Sequence, residues 1–170
     1  MQYISDPQVR LVTRPSINWA AIADFLDSEG LPPIPDSIRS GDDESSAVVE
    51  ISARLCYMSY GRGRKDISDF INNLLSKGDG SVFEHVNYGF VISGISRSLT
   101  HELVRHRAGF AYSQRSQRYV DESESDFIIP PALNENDAKT IKAADVMKAA
   151  MESSLSSYKN LVSELDKIIP

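Results

Sequence analysis

Fifteen residues, Arg105 to Tyr119, read RHRAGFAYSQRSQRY: four arginines, two serines, two tyrosines and no acid, in a chain whose formal net charge is -6. Arginine keeps its proton throughout the physiological range. Four of them crowded together repel one another unless an anion lies between them, and the guanidinium fork matches phosphate or carboxylate. The segment therefore reads first as an anion site. The competing reading is a solvated basic surface, or pairing with some of the 24 acidic residues of the chain, and exposed pairs of that kind contribute little. Phe110, Tyr112 and Tyr119 interleave with the arginines. That mixture can hold a flat, phosphorylated, conjugated ligand such as a nucleotide or flavin by charge and stacking, although it also lines protein interfaces.

Other chemistries have weaker support. His101 and His106 lie in the basic stretch and His85 follows Glu84, but no H-x-x-x-H or C-x-x-C spacing occurs, so no metal site is expected. No serine sits in a G-x-S-x-G elbow, which argues against serine hydrolysis. Cys56, in the apolar run ARLCY, reads as a small core residue, as free cysteine usually is. The loop GRGRK at 61–65 lacks both phosphate-loop patterns, so ATP chemistry is not indicated.

These residues need a scaffold, and 170 residues with 41% hydrophobic and 25% charged suit a single globular domain. No apolar run reaches the roughly 18 residues of a membrane span. The start MQYISDPQVR lacks the layout of a secretory signal, and one cysteine cannot make an internal disulfide; the expectation is a cytoplasmic protein. A pI of about 5.0 weighs against a nucleic-acid binder, which shows a broad basic face.

Periodicity places the elements. Residues 28–45, rich in Pro, Gly, Ser and Asp, read as a flexible loop. Val48, Ile51 and Leu55 keep helical spacing and predict a helix over 46–57. Asp66 can cap a second helix carrying Ile67, Phe70, Ile71, Leu74 and Leu75, with Gly78 as its stop. From Val86 the alternation predicts a strand ending at Gly94. A helix over 95–107 would bury Ile95, Leu99 and Leu103 and turn its other face to the anion site. Phe127 to Ile129 read as a short strand before Pro130 and Pro131. A long helix from about Asp137 to Ile168 follows. The class is α+β, a central antiparallel sheet flanked by helices with a long C-terminal helix; one clear strand cannot stand alone, so others must come from 3–13, from the stretch after Arg107 or from a partner chain.

The segment also resembles the signature of the flavin-dependent thymidylate synthases, Arg-His-Arg followed after a spacer by Ser-x-Arg-Tyr. ARLCY is similar to that family's early helix, SVFEHVNYGFVISGISRSLTHELVRHR to its Glu-His segment, strand and signature helix, and FIIPPAL to the segment after it, covering roughly 46–133. The resemblance implies reductive methylation of dUMP to dTMP, with FAD carrying hydride from NADPH and methylenetetrahydrofolate supplying the carbon, in a homotetramer whose active sites lie between subunits. It implies that Arg105, His106 and Arg107 contact FAD, with Ser81, Glu84, Cys56 and Gln114 also on the flavin side. Glu102, Arg105, Gln114, Arg115, Ser116, Gln117 and Arg118 would surround dUMP, and Arg105, Ser116 and Arg118 would be the catalytic group. Ser116 has no base beside it in sequence, so its hydroxyl is expected to orient the nucleotide rather than attack carbon.

Two departures from the family pattern stand out. The spacer between Arg-His-Arg and the serine is usually seven residues, whereas AGFAYSQR makes eight before Ser116, so contacts from Ala108 to Arg115 are expected to shift. The family pattern also continues past the point corresponding to Pro170 into a helical region that supplies an asparagine and arginines to FAD and dUMP. The expectation is an incomplete domain with impaired activity. A non-catalytic nucleotide-binding, flavin-binding or oligomeric scaffold of the same fold is the alternative.

Overall fold

A computed structural model describes residues 2–39, 44–133 and 138–168. The elements in chain order are β1 (Tyr3–Ile4), β2 (Gln8–Thr13), α1 (Trp19–Ser28), α2 (Asp36–Arg39), α3 (Ser45–Tyr57), α4 (Ile67–Lys77), a 3-10 helix (Gly80–His85), β3 (Gly89–Ser93), α5 (Arg97–Leu103), β4 (Phe127–Ile128), a short 3-10 turn (Pro131–Leu133) and α6 (Ala138–Leu165). The chain divides into two compact units, one of residues 10–91 and one of residues 1–9 and 92–170. The α+β class is the one found: β2 pairs with β3 in a small antiparallel sheet flanked by helices, and α6 is the long C-terminal helix. Its 28 residues span about 42 Å at ~1.5 Å per residue. The expected strands in 3–13 are present as β1 and β2.

The 10–91 unit is organised around α3. On one side Ala47 packs with Leu26, Ile34, Ile38 and Tyr60; on the other Val49 and Ala53 pack with Leu74. Asn18 starts α1 by accepting the Ala21 N–H at 3.1 Å. The carboxylate of Glu44 accepts two donors, the backbone N–H of Ile17 at 2.6 Å and the indole of Trp19 at 2.5 Å, which ties the segment before α1 to the start of α3. Helix α4 follows expectation: Asp66 accepts from the Asp69 N–H at 2.9 Å, and Gly78 ends the helix in the left-handed region. Within 28–45, read from composition as a loop, α2 forms a helical turn and Ile34 and Ile38 are buried. The part of that stretch at 40–43 lies outside the described residues.

Two further boundaries differ from the sequence reading. The strand begins at Gly89 rather than Val86, because Gly80–His85 winds into a 3-10 helix closed by the Val86 N–H on the Phe83 carbonyl at 3.1 Å. Helix α5 is seven residues, not thirteen. Ser96 caps it, and the N–H groups of Arg105 and His106 bond back to Glu102 and Leu103, a three-residue reach that tightens and ends the helix. The expected buried face of that helix is also corrected: no residue of α5 is buried, and Leu99 is 51% exposed.

In the other unit β1 pairs in parallel with β4, Tyr3 opposite Phe127 and Ile4 opposite Ile128. The Tyr3 hydroxyl donates to Glu152 of α6 at 2.6 Å, and that neighbouring carboxylate pushes the phenol up to about 12. Gly94, at φ +71°, lets the chain pass close to β1; a Cβ there would lie 2.6 Å from the Asp6 carbonyl oxygen.

Candidate functional site

The arginine segment starts where α5 stops, and Gly109 at φ +75° with the Phe110 N–H on the Arg107 carbonyl turns it. The rings of Phe110 and Tyr112 stack 6.0 Å apart at 15°, and the Tyr112 hydroxyl donates to the His106 carbonyl at 3.1 Å. Local bonds then fix the return. Arg97 of α5 donates to the Arg115 carbonyl at 2.9 Å, and the Gln114 amide donates to the Thr100 hydroxyl. A further turn closes with the Val120 N–H on the Ser116 carbonyl, and the Ser116 hydroxyl accepts the Arg118 N–H at 3.2 Å.

The four arginines, equivalent by composition, are not equivalent in the structure. Arg115 donates to Glu122 at 2.5 Å and to Ser125 at 2.9 Å. The Ser125 hydroxyl, and after it the Arg115 guanidinium, hold the Glu122 carboxyl below its ordinary value. Arg105, Arg107 and Arg118 make no ion pair among the described residues. All three are exposed, and the Arg118 guanidinium lies 5.4 Å over the Tyr119 ring. Glu102, His106 and Gln117 are exposed beside them, while Ser116 is half-buried.

Three expected flavin-side residues belong to the 10–91 unit. Ser81 and Glu84 sit, exposed, on the 3-10 helix before β3. Cys56 is on α3, where the sequence places it, but it is exposed rather than packed as a core residue.

One feature escaped the sequence reading. Arg54 is buried with Glu50, four residues before it; Nε donates to Glu50 Oε1 at 2.7 Å and Nη2 lies 2.6 Å from the same oxygen. Its guanidinium also donates to the backbone carbonyls of Ser59 at 3.0 Å, Arg62 at 2.8 Å and Arg64 at 2.8 Å, and lies 4.7 Å over the Phe70 ring. Burial pushes the Glu50 carboxyl up, with Arg54 opposing, and Glu50 Oε2 has no hydrogen-bond partner among the described residues. The loop held in this way walls a cavity of about 290 Å³ that takes in none of the arginine segment. An i,i+4 Glu-Arg pair on a predicted helix was visible in VEISAR, but nothing in sequence marks it as buried.

Among the described residues no group of His, Cys, Asp and Glu could hold a metal ion, and no helix is long and apolar enough to cross a membrane. Residues 39–168, parts of both units, match the family model described as thymidylate synthase complementing protein. The chain is 37% identical over 142 residues to a flavin-dependent thymidylate synthase of Mycobacterium leprae (strain Br4923), covering 82% of this chain and 54% of that protein. It is 36% identical over 153 residues to the flavin-dependent thymidylate synthase of Mycobacterium avium (strain 104), covering 88% and 57%. For the protein of that name from Clostridium tetani (strain Massachusetts / E88) the identity is 40% over 127 residues, covering 71% and 49%. The chain thus spans about half the length of the curated relatives it matches.

Proposed function

The chain belongs to the thymidylate synthase complementing protein family, and we propose that it serves flavin-dependent reductive methylation of dUMP to dTMP, using methylenetetrahydrofolate and NADPH. The observation that carries this reading is the sorting of the basic segment: Arg105, Arg107 and Arg118 have no carboxylate partner among the described residues, in a chain of net charge -6. Unpaired guanidinium groups in an acidic protein suit an anionic ligand better than a surface role. The donor set also fits FAD, since its pyrophosphate needs cations and its ring system needs flat faces such as Phe110 and Tyr112.

In this reading FAD, when bound, supplies hydride transfer, and the chain supplies binding and orientation. Arg105, His106 and Arg107 hold the flavin phosphates, with Ser81, Glu84, Cys56 and Gln114 completing that side. Arg118 and Arg105 neutralise and orient the nucleotide and polarise its carbonyls, as preorganised donors do. Ser116 accepts the Arg118 N–H, which leaves its own hydroxyl proton to donate to the nucleotide. Glu102 and Gln117 take the remaining polar contacts. Arg115 acts through backbone position, its guanidinium being held by Glu122 and Ser125.

A homotetramer with active sites between subunits belongs to the same proposal. Val146 and Leu161 of α6, 72% and 59% exposed, support burial against another copy. The same exposure also favours the second reading, an oligomeric scaffold without catalysis. Titration with FAD and dUMP separates the two. Wild-type protein should bind both, and Arg107→Ala should lose about 1.5–3 kcal/mol of FAD binding for one charged hydrogen bond, roughly ten- to hundredfold in Kd, with an unchanged circular-dichroism spectrum. FAD affinity equal in the two proteins removes Arg107 from the site, and no FAD binding by either favours the scaffold.

A further inference from the structure

The cavity of about 290 Å³ is built entirely from the 10–91 unit. Its lining is mostly apolar, with Ile34, Ile38, Ile51 and Tyr60 among its walls beside the Glu50–Arg54 pair, and the exposed residues Arg62, Arg64 and Lys65 form its rim. The wall is a fixed piece of backbone. Arg54 holds the carbonyls of Ser59, Arg62 and Arg64, and Gly61, at φ +72°, is so close to Pro32 that a Cβ would lie 2.4 Å from its Cγ.

That construction separates two kinds of cation. The Arg54 charge is cancelled by Glu50 beneath it. The side chains of Arg62, Arg64 and Lys65 make no ion pair among the described residues and are exposed. These three residues line the recess, and Arg54 holds the carbonyls of Arg62 and Arg64, so the loop backbone needs little ordering to engage a ligand. The nearest acid in sequence, Asp66, has one carboxylate oxygen committed to capping α4.

From the cavity and its unpaired rim we infer that this recess binds a small amphiphilic anion: a compact aromatic or aliphatic body seated against the isoleucines and Tyr60, with one carboxylate or phosphate head on Arg62, Arg64 and Lys65. The apolar walls supply affinity by excluding water from the body, and the rim supplies preference for an oxyanion. The inference does not depend on the flavin reading.

Isothermal titration with 4-phenylbutyrate and with phenyl phosphate tests it, using 4-phenylbutanol and inorganic phosphate as controls. Saturable binding of at least one aryl anion is expected, at least tenfold tighter than either control. The triple substitution Arg62→Ala, Arg64→Ala, Lys65→Ala leaves the backbone carbonyls available to Arg54 and should weaken that binding at least tenfold, while Ile51→Trp, which fills the recess, should abolish it in protein whose circular dichroism is unchanged. Absence of saturation overturns the proposal. So does equal binding of the neutral alcohol, equal binding of inorganic phosphate, or an unaltered affinity in the triple variant. FAD and dUMP titrations of the same triple variant report on the proposed function independently.

Discussion

Replacing Arg54 by Met tests whether the α3 arginine is the fastener of loop 58–65. Its side chain is 8% exposed and that of Glu50 is 1%, so solvent screening does not reduce the effect much. The substitution keeps the volume and the contact with Phe70 but removes the partner of a buried carboxylate and three charged donors to backbone carbonyls. Removing one member of a buried pair typically costs about 3–5 kcal/mol, roughly a fifth or more of the stability of an ordinary domain. Urea unfolding followed by the fluorescence of Trp19, the single tryptophan and a member of the same unit, measures it. Burial already raises the Glu50 carboxyl, and Arg54 opposes that rise; without Arg54 the folded value rises further above the unfolded one. The folded state then binds the extra proton, so the loss is full above the folded value and shrinks as pH falls through it. The destabilisation should accordingly be larger at pH 8 than at pH 5. Adding Glu50→Met should recover much of the loss, because the uncompensated charge is gone. A loss under about 1 kcal/mol at pH 8, or no recovery in the double variant, would refute the clamp.

Other expectations follow from the same geometry. Glu122 is held below its ordinary value by Ser125 and Arg115, so its contribution is present above the unfolded value and is lost as pH falls through the folded one. Arg115 is largely exposed, so Glu122→Gln should cost only about 0.2–1 kcal/mol at pH 7 and nothing at the acid end of a denaturation series; a difference that persists there contradicts the assignment. Gly61→Ala and Gly63→Ala both place a Cβ at positive φ, but only the first meets a neighbour within 4 Å. Each should lose roughly 1–2 kcal/mol for the left-handed backbone, and Gly61→Ala distinctly more. Equal urea midpoints for the two would show that the approach to Pro32 can relax.

Local chemistry made parts of this fold readable and left others hidden. Helix α4 was legible because its cap, its apolar spacing and its stop all lie within one short stretch, Asp66 to Gly78. Helix α1 carries comparable signals in Asn18, Trp19, Ile22 and Leu26, but a Pro- and Gly-rich segment follows it directly. There, turn composition hid Ile34 and Ile38, which are buried by partners distant in sequence. Val86 to Tyr88 alternate as a strand does, but alternation reports only which side faces inward; it does not supply a ladder partner, and the 3-10 helix ends just before them.

The cations show the same limit more sharply. Residue type announces a charge and is silent on whether that charge is already neutralised, because the neutralising group is placed by the turn between them. Arg115 and Glu122 are seven apart and meet only because the turn at Ser116 to Val120 folds them together. Arg54 is spoken for by three carbonyls that no side-chain pattern encodes. The structure therefore reduces the basic segment from four available guanidinium groups to three, and adds a second set of three at Arg62, Arg64 and Lys65 that composition had treated as an ordinary basic loop. If that sorting is right, Arg115→Ala should weaken dUMP and FAD only as far as the 116–125 turn loosens, and Arg115→Lys, which can still reach Glu122, should restore most of the affinity. Arg118→Lys should not restore what Arg118→Ala loses, since a point charge cannot reproduce the fork over Tyr119. Equal rescue by lysine at both positions would mean that the two arginines act alike, and the division drawn between them would be wrong.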